Sequence, residues 1–199
     1  MNWKKVRRKA RRFVRRHRHH LMLACAVAMI ALILGLLFAA GDNYDDFRDD
    51  LGMRESSDNY AAVNRFHYMG RYQLGSLALQ DIGFQDQNGA WTDLAKSYGI
   101  SSEQDFLNSP EGQDEIVEIY HRRLCSYIRA NDLDDYIGTT YCGVKVTKSG
   151  LLAACHLVGI GSLIRGLESG QAVYDGNGVS AAEYMELFAG YNISKVWKD

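Results

Sequence analysis

Residues 54–75 read RESSDNYAAVNRFHYMGRYQLG, a run in which one glutamate, Glu55, is followed by many Tyr, Asn, Gln and Gly residues. Hydroxyl and amide groups can hydrogen-bond to the hydroxyls of a sugar, and aromatic rings can cover its apolar faces. A single glutamate among such side chains can protonate a glycosidic oxygen. The stretch therefore predicts a groove that binds a glycan and carries one candidate acid.

Charge divides the chain into two unlike parts. Residues 1–20 hold ten Lys and Arg and no acid, whereas the other 179 residues hold 13 basic and 24 acidic residues. Residues 21–40, LMLACAVAMIALILGLLFAA, lie between them and carry no charge. A helix of that length spans about 30 Å, which matches the hydrocarbon core of a bilayer. Its length favours an uncleaved transmembrane anchor over a cleaved signal peptide.

The residues that flank this span predict its orientation. A basic run precedes it, and five aspartates follow it between positions 42 and 50. The positive-inside rule then predicts a cytoplasmic N-terminus and an exported part over residues 41–199. A basic run beside a membrane span serves as a topology signal and can contact anionic lipid. We therefore favour that interpretation over nucleic-acid binding.

In the part predicted to be exported, composition and helix signals indicate an acidic linker over 41–54 and one mainly helical domain over 55–193. Three helix starts carry capping signals, at Ser101, Ser109 and Ser180. Apolar residues at spacings of three and four from residue 116 to 128 indicate an amphipathic helix that ends near Asn131. Shorter apolar helices are predicted over 148–157 and 162–167.

Cysteine and histidine spacing gives no sign of a metal site, and no cofactor is predicted. Cys25 lies in the apolar span, whereas Cys125, Cys142 and Cys155 lie in the exported part. One disulfide among these three is possible, and all three could equally be buried thiols. Residues 175–180, DGNGVS, have some features of a calcium loop, but the ligand positions do not match, so a tight turn is favoured.

Two motifs together resemble the signature of the lysozyme-like superfamily, most of all of lytic transglycosylases and of phage or bacterial muramidases. They are Glu55-Ser56-Ser57 and, about fifteen residues later, Gly70-Arg71-Tyr72-Gln73-Leu74-Gly75. Weaker matches follow at residues 152–157, LAACHL, and 188–192, FAGYN. The resemblance covers residues 50–193 and implies a lysozyme-like helical domain behind a single N-terminal transmembrane helix.

The resemblance implies that Glu55 is the catalytic acid. Such an acid must be protonated near neutral pH, which calls for an apolar pocket, and Tyr60, Val63 and Leu74 could supply its walls. The candidate substrate-binding residues are Gln73, Tyr72, Tyr191, His156 and Asn64. Tyr72 could equally lie in the core. At His156 the family often has Asn after an aromatic residue, so this histidine could bind substrate or be a satisfied core residue.

The function that the resemblance implies is cleavage of peptidoglycan between N-acetylmuramic acid and N-acetylglucosamine. The enzyme would be anchored in the bacterial inner membrane through residues 21–40, with its catalytic domain in the periplasm and an envelope protein complex as a possible partner. A hydrolase needs a second carboxylate, for which Asp58 and Asp81 are candidates, whereas a transglycosylase can work with one acid. The single-acid route is favoured. The alternative function is a catalytically inactive scaffold that binds peptidoglycan.

Overall fold

The first helix, α1 (Tyr44–Ser56), lies where the sequence predicts a linker. Its N-cap, Asn43, accepts hydrogen bonds from the backbone N–H groups of Asp45 and Asp46, and the Asp46 carboxylate accepts from the N–H of Asn43. This reciprocal arrangement is a capping box and starts the helix sharply. The acidic composition that suggested a linker over 41–54 belongs, from residue 44 onward, to a capped helix.

The buried face of α1 explains why this segment is part of the domain core and not a linker. Tyr44, Phe47 and Leu51 stand at spacings of three and four, and all three are buried. The computed structural model describes residues 43–198. The basic tail (1–20) and the predicted anchor (21–40) therefore lie outside the described residues.

The remaining elements continue the mainly helical pattern, which confirms the α class. In chain order they are the helices α2 (Ser76–Asp81), α3 (Asp93–Ser97), α4 (Glu103–Leu107) and α5 (Pro110–Ala130), the 3-10 helix η1 (Leu133–Tyr136), the strands β1 (Thr140–Tyr141) and β2 (Val144–Lys145), and the helices α6 (Lys148–Val158), α7 (Ile160–Ser169) and α8 (Ala181–Leu187). The two strands form an antiparallel hairpin in which Thr140 pairs with Lys145.

Helix α6 lies at the centre of the packing. Every residue from Ser149 to Cys155 is buried, and α6 packs against α5, α7 and α8. A helix that is apolar on all sides can be stable only when other elements surround it. Gly159, with a positive φ of 73°, ends α6, and α7 then turns away by 119°. The two predicted apolar helices are confirmed with this break between them.

Helix α5 presents the predicted apolar stripe, with Ile116, Val117, Leu124 and Ile128 all buried. Its start is confirmed, because the Ser109 hydroxyl accepts from a backbone N–H and Pro110 occupies the first helical position. Its C-cap is Asn131, also as predicted.

The predicted cap at residue 180 is confirmed, and the one at residue 101 is displaced by one residue. The Ser180 hydroxyl accepts from the N–H of Glu183. At the start of α4, Ser102 accepts from the N–H of Asp105, whose carboxylate accepts in return from the N–H of Ser101. The Asp105 carboxylate therefore supplies the return bond.

The C-terminal boundary of the domain lies beyond the predicted residue 193. Ile193, Val196 and Trp197 are all buried. The backbone of Asn192 forms a parallel bridge with Asn43, so the two ends of the described chain meet. Apolar residues after 193 thus complete the core that α1 begins.

Cys125, Cys142 and Cys155 are free thiols: Cys125 and Cys155 are buried, and Cys142 is exposed. Burial raises the pKa of the Cys125 thiol to about 12. Within residues 43–198, no single helix is long and apolar enough to cross a membrane. The bent pair of α6 and α7 meets that test only when the two helices are taken together.

Candidate active site

Glu55 lies in the last turn of α1 and lines a cleft of about 390 Å³. Three other parts of the chain form the walls. They are residues 64–73 with Asn64, Phe66, Tyr68 and Gln73, the end of α6 with His156, Leu157 and Val158, and the turn with Tyr174, Asp175, Gly176 and Asn177. Segments far apart in sequence therefore meet around one carboxylate.

Ser56 fixes the motif segment 70–75 beside Glu55. Its hydroxyl donates to the carbonyl of Arg71 at 2.9 Å and accepts from the N–H of Asn59 at 2.9 Å. The end of α1 is thereby tied to the backbone two residues before Gln73. This contact gives a physical reason for the adjacent Glu and Ser in the first motif.

Both motif glycines are required by close contacts. Gly70 has a φ of +76°, and a Cβ there would lie 2.2 Å from the side-chain oxygen of Gln113. A Cβ on Gly75 would lie 2.7 Å from a ring carbon of Tyr68. The fully buried Gln113 amide also accepts from the N–H of Arg71 at 2.8 Å and so anchors the segment to α5. These contacts hold residues 70–75 in one conformation.

The Glu55 side chain is only 15% exposed. Its Oε1 accepts a hydrogen bond from the Tyr184 hydroxyl at 2.8 Å and lies 4.0 Å from Nε2 of His156. Burial, followed by the charge of Glu55 and the hydrogen bond to it, raises the pKa of Tyr184, so its hydroxyl keeps its proton and acts as a donor. The nearest groups around the carboxylate are thus a neutral donor and an imidazole.

The walls predicted for the Glu55 pocket are not where the sequence suggested. Tyr60 donates to Asp114 at 3.0 Å, Leu74 is buried in the core, and Val63 is 43% exposed. Among residues 43–198, none of these three lines the cleft. Leu157 and Val158, at the end of α6, supply the aliphatic part instead.

His156 both lines the cleft and is buried, with its side chain 4% exposed. Its Nε2 lies 3.1 Å from the carbonyl oxygen of Tyr72, and its Nδ1 lies 3.2 Å from Nε2 of His121. Burial lowers the pKa of His156, with partial opposition from Glu55 and the Tyr72 carbonyl. The two interpretations left open by the sequence therefore combine in one residue: a satisfied histidine in the wall of the cleft.

Gln73 and Asn64 line the cleft as predicted. Gln73 adopts a left-handed conformation with a φ of 48°, and its Nε2 donates to the carbonyl of Gly70 at 2.9 Å. The Asn64 side-chain oxygen accepts from the N–H groups of Phe66 and Tyr68 at 2.8 and 3.1 Å. Each amide therefore shapes its own loop with one end, which leaves the other end of the amide group for a ligand.

Tyr72 lies in the core instead of the cleft wall. Its side chain is 1% exposed, and its hydroxyl donates to Asp114 at 2.5 Å and accepts from Arg71 at 2.8 Å. Aromatic residues that carry one polar group pack well in a core when that group finds partners. The contribution of Tyr72 to the site is its backbone carbonyl, which faces His156.

Tyr191 is placed against α1 rather than beside Glu55. Its ring packs on Phe47 and Phe188, and its hydroxyl donates to the Asp50 carboxylate. It does not line the cleft formed by the described residues. The tyrosine that contacts the candidate acid is Tyr184, one helical turn before the end of α8. The sequence placed Tyr184 only among the apolar residues of that helix.

The sequence also gave little sign of the aromatic rim. Phe66, Tyr68 and Tyr174 are 50%, 45% and 59% exposed, and all three line the cleft. Exposed aromatic side chains in one cleft are typical of a binding surface. Arg65 joins the two rim loops by donating to the Asn177 side-chain oxygen at 3.4 Å.

Neither predicted second acid faces the cleft. Asp58 accepts from Nε of Arg71, and Asp81 accepts from the Tyr127 hydroxyl, both at 2.5 Å. The carboxylate that shares the cleft with Glu55 is Asp175. One of its oxygens accepts from the N–H groups of Asn177 and Val179 at 2.9 and 2.7 Å, which confirms a tight turn there. Residues 43–198 contain no cluster of three or more potential metal ligands.

Comparisons with protein-family models, with curated proteins and with solved structures give no match to this chain. The functional argument therefore depends on the residues of the cleft and their geometry.

Proposed function

We propose that this chain is a peptidoglycan-cleaving enzyme with a lysozyme-like domain. Glu55 is the general acid for the bond between N-acetylmuramic acid and N-acetylglucosamine. The observation that carries the proposal is the Glu55 carboxylate itself: it is 15% exposed, accepts from Tyr184 and faces a cleft with an aromatic rim. A largely desolvated carboxyl group in a sugar-sized cleft is the arrangement that glycoside cleavage requires.

The hydrogen bonds of Glu55 suggest how the proton is held. The Tyr184 hydroxyl occupies Oε1, so we assign proton transfer to Oε2. That proton passes to the glycosidic oxygen as the C–O bond breaks. The Glu55 carboxylate then accepts a proton from the nucleophile that attacks the sugar carbon.

The nucleophile decides the product. Attack by water gives a reducing end and makes the enzyme a muramidase. Attack by the 6-hydroxyl of the same muramic acid residue gives an anhydro end and makes it a lytic transglycosylase. The second route needs only one carboxyl group, and we favour it because the hydrogen bonds of Asp175 hold the turn in which it lies.

The rim supplies groups that suit a glycan. Phe66, Tyr68 and Tyr174 offer ring faces for the apolar sides of sugars. The amides of Asn64 and Gln73 can bond to hydroxyl and acetamide groups. The anchor predicted over residues 21–40 would keep this cleft within reach of the wall next to the inner membrane, in the periplasm.

The test is incubation of the purified full-length chain with peptidoglycan sacculi, beside the Glu55→Gln variant, with released fragments identified by mass. We expect release by the wild type and almost none by Glu55→Gln, which keeps the shape of the side chain but cannot donate the proton. Glu183→Gln is the matched control, because Glu183 is exposed and lies outside the cleft. Anhydro ends identify a transglycosylase, and reducing ends identify a hydrolase.

A second candidate function is a scaffold that binds peptidoglycan without cleaving it. The exposed aromatic rim favours it, since ring stacking on sugars does not require an acid. Sedimentation with sacculi in the same experiment separates the two functions. If wild type and Glu55→Gln sediment equally and neither releases fragments, the scaffold function replaces the enzymatic one.

A further inference from the structure

A chain of buried polar groups runs from α1 through α5 to the cleft. The Tyr44 hydroxyl lies 3.0 Å from Nδ1 of His121, and Nε2 of His121 lies 3.2 Å from Nδ1 of His156. Nε2 of His156 lies 3.1 Å from the carbonyl oxygen of Tyr72. Tyr44 and His121 are 1% and 0% exposed, so water cannot replace these partners.

The Tyr72 carbonyl, at the end of this series of polar groups, determines which atom donates in each hydrogen bond. A carbonyl oxygen can only accept, so Nε2 of His156 must carry a hydrogen. In neutral His156, Nδ1 is then an acceptor, which requires His121 to donate from its Nε2. The Nδ1 of neutral His121 is likewise an acceptor, and it accepts a hydrogen bond from the Tyr44 hydroxyl. Each hydrogen bond has one donor only when all three proton positions agree.

The surroundings keep both imidazoles neutral. Burial, together with the neighbouring His156 and the positive charge of Arg48, lowers the pKa of His121. The charged group that faces His156 is Glu55, and aromatic rings of Tyr120 and Phe47 cover the pair from α5 and α1. Tyr44 keeps its hydroxyl proton because burial raises its pKa.

We propose that the Tyr72 carbonyl selects the His156 tautomer with its proton on Nε2, and that Tyr44 and His121 are positioning residues that stabilise this tautomer by placing a donor against each Nδ1. In this tautomer the Nε2–H group binds the Tyr72 carbonyl, next to Gln73, and this positive end of the ring lies 4.0 Å from the Glu55 carboxylate. The catalytic part of this inference rests on the proposed function, whereas the tautomer does not.

The opposite tautomer of His156 would reverse the polarity of its contacts in the wall of the cleft. With its proton on Nδ1, His156 would turn a bare Nε2 lone pair toward the Tyr72 carbonyl oxygen and toward Glu55, and both contacts would become repulsive. The backbone at Tyr72 would lose its hydrogen bond to α6. Two residues that never touch the cleft would thus stabilise its geometry.

The first test is the ¹⁵N NMR spectrum of the full-length chain labelled at histidine, recorded without substrate at pH 7.5. Protonated and unprotonated ring nitrogens have well-separated shifts. We expect His121 and His156 both neutral, each with its proton on Nε2, with assignment from the His121→Gln and His156→Gln variants. A proton on Nδ1 of His156 overturns the inference whatever the activity of the protein.

The second test replaces members of the chain and measures kcat and KM for fragment release. Tyr44→Phe removes only the hydroxyl, so His121 can adopt either tautomer, and we expect kcat to fall about fivefold, the equivalent of one neutral hydrogen bond, with little change in KM. The histidine spectrum should change in the same variant. Tyr127→Phe is the matched control, because its hydroxyl bonds to Asp81 outside the cleft.

Two substitutions of His121 distinguish an effect of hydrogen-bond direction from an effect of side-chain packing. In His121→Gln the amide N–H can donate to His156 while the amide oxygen accepts from Tyr44. We therefore expect this variant to keep most of the wild-type kcat. His121→Leu fills similar space without either group and should lower kcat at least as much as Tyr44→Phe. Equal kcat in the Gln and Leu variants would show that the chain acts only through packing, and the positioning role would be rejected.

Discussion

Two polar clusters include groups of residues 71–73 or contact them, and they balance charge in different ways. In the first, the Arg71 guanidinium, 7% exposed, lies within 3.5 Å of three carboxylates. They belong to Asp49, Asp58 and Asp114 at 3.1, 2.5 and 3.5 Å. Every nitrogen of that guanidinium has an oxygen partner, as its planar fork allows.

In the second cluster the Glu55 carboxylate has no such counter-charge. Its hydrogen-bond donor is the Tyr184 hydroxyl, and the imidazole of His156 lies 4.0 Å away. Among residues 43–198, no Lys or Arg side chain forms an ion pair with Glu55. Arg54, the next residue in the chain, pairs with Glu183 instead.

The presence or absence of a counter-charge distinguishes a cluster that holds the fold from one that can take part in a reaction. A carboxylate beside a guanidinium is held in its ionised form and cannot deliver a proton, so the Arg71 cluster can fix the loop but not react. A carboxylate whose neighbours are a neutral hydroxyl and an imidazole has no fixed counter-charge of this kind. The same short segment is therefore clamped by charge in one cluster and lies beside a carboxylate without a counter-charge in the other.

The largest expected effect is the loss of cleavage in Glu55→Gln. General acid catalysis contributes about 10²–10⁴ in rate, and the amide cannot donate the proton. The amide can still accept from Tyr184, so the free energy of unfolding should change by less than about 1 kcal/mol. Muropeptide release and urea denaturation of the same sample measure the two quantities. A large drop in stability would show that Glu55 belongs with the structural cluster instead.

Arg71→Met should produce the opposite pattern in stability. It removes a buried guanidinium whose carboxylate partners are 25% to 58% exposed, so the cost should lie between those of a buried and a surface ion pair, and we expect a loss of about 2 kcal/mol in the free energy of unfolding. Arg54→Met is the control, because the Arg54–Glu183 pair is 39% and 54% exposed and should contribute less than about 1 kcal/mol. Equal losses in the two variants would mean that burial of Arg71 does not distinguish its cluster.

The buried histidines predict a pH dependence of stability. In the folded protein the pKa of His121 and of His156 is lowered by burial, whereas in the unfolded chain they protonate near their ordinary value of 6.5. Below that pH the unfolded chain binds more protons. The free energy of unfolding should therefore be greatest above about pH 6.5 and fall by up to about 1.4 kcal/mol per pH unit for each histidine as the pH drops.

Urea denaturation between pH 7.5 and 5.5 measures this slope. It should decrease in His121→Gln, which has one buried histidine fewer, and remain unchanged in His67→Gln, whose histidine is 67% exposed. A slope that is the same in all three proteins would place the pH dependence outside the histidine pair.

Tyr184→Phe should have a smaller effect, about tenfold in kcat. The variant removes the donor to Oε1 of Glu55, and a carboxylate without a donor is less favoured in its ionised form. The carboxylate that forms on proton transfer would lack this donor, so kcat should fall while KM stays nearly unchanged. An unchanged kcat would show that Tyr184 supports packing only. Tyr127→Phe again serves as the control.

Sequence reasoning recovered the parts of this site that depend on local spacing. The two motifs contain Glu55 and Gln73, and Asn64 lies in the polar run between them. Close contacts of Ser56 and of the two motif glycines hold the backbone of the motifs. Sequence reasoning missed Tyr184 because that residue is also a regular apolar position of α8, buried with its neighbours. Nothing in the spacing of one helix reveals which buried tyrosine has a carboxylate as its partner 129 residues away.

The same limit applies to the fold. Capping residues and apolar periodicity predicted α5 and α6 with nearly correct ends, and they predicted the start of α8. Helix α1 was missed because its exposed aspartates dominate the composition, while only three apolar positions carry its burial. His121 was missed for a related reason: it occupies a core position of the α5 stripe, where a polar residue is acceptable only because Tyr44 and His156 satisfy it.

The smallest expected effect, and the one that extends the comparison furthest, is that of Asp175→Asn. Asp175 is a carboxylate in the cleft whose acceptor oxygen holds a turn, so it has features of both clusters. An Asn side-chain oxygen can accept the same two N–H bonds, and the turn should survive. If one carboxyl group suffices, kcat should fall less than tenfold and the products should keep anhydro ends. A loss as large as that of Glu55→Gln, with reducing ends in the wild-type products, would make Asp175 the second carboxylate of a hydrolase. That result would show that a carboxylate can hold a loop and take part in chemistry through the same two oxygens.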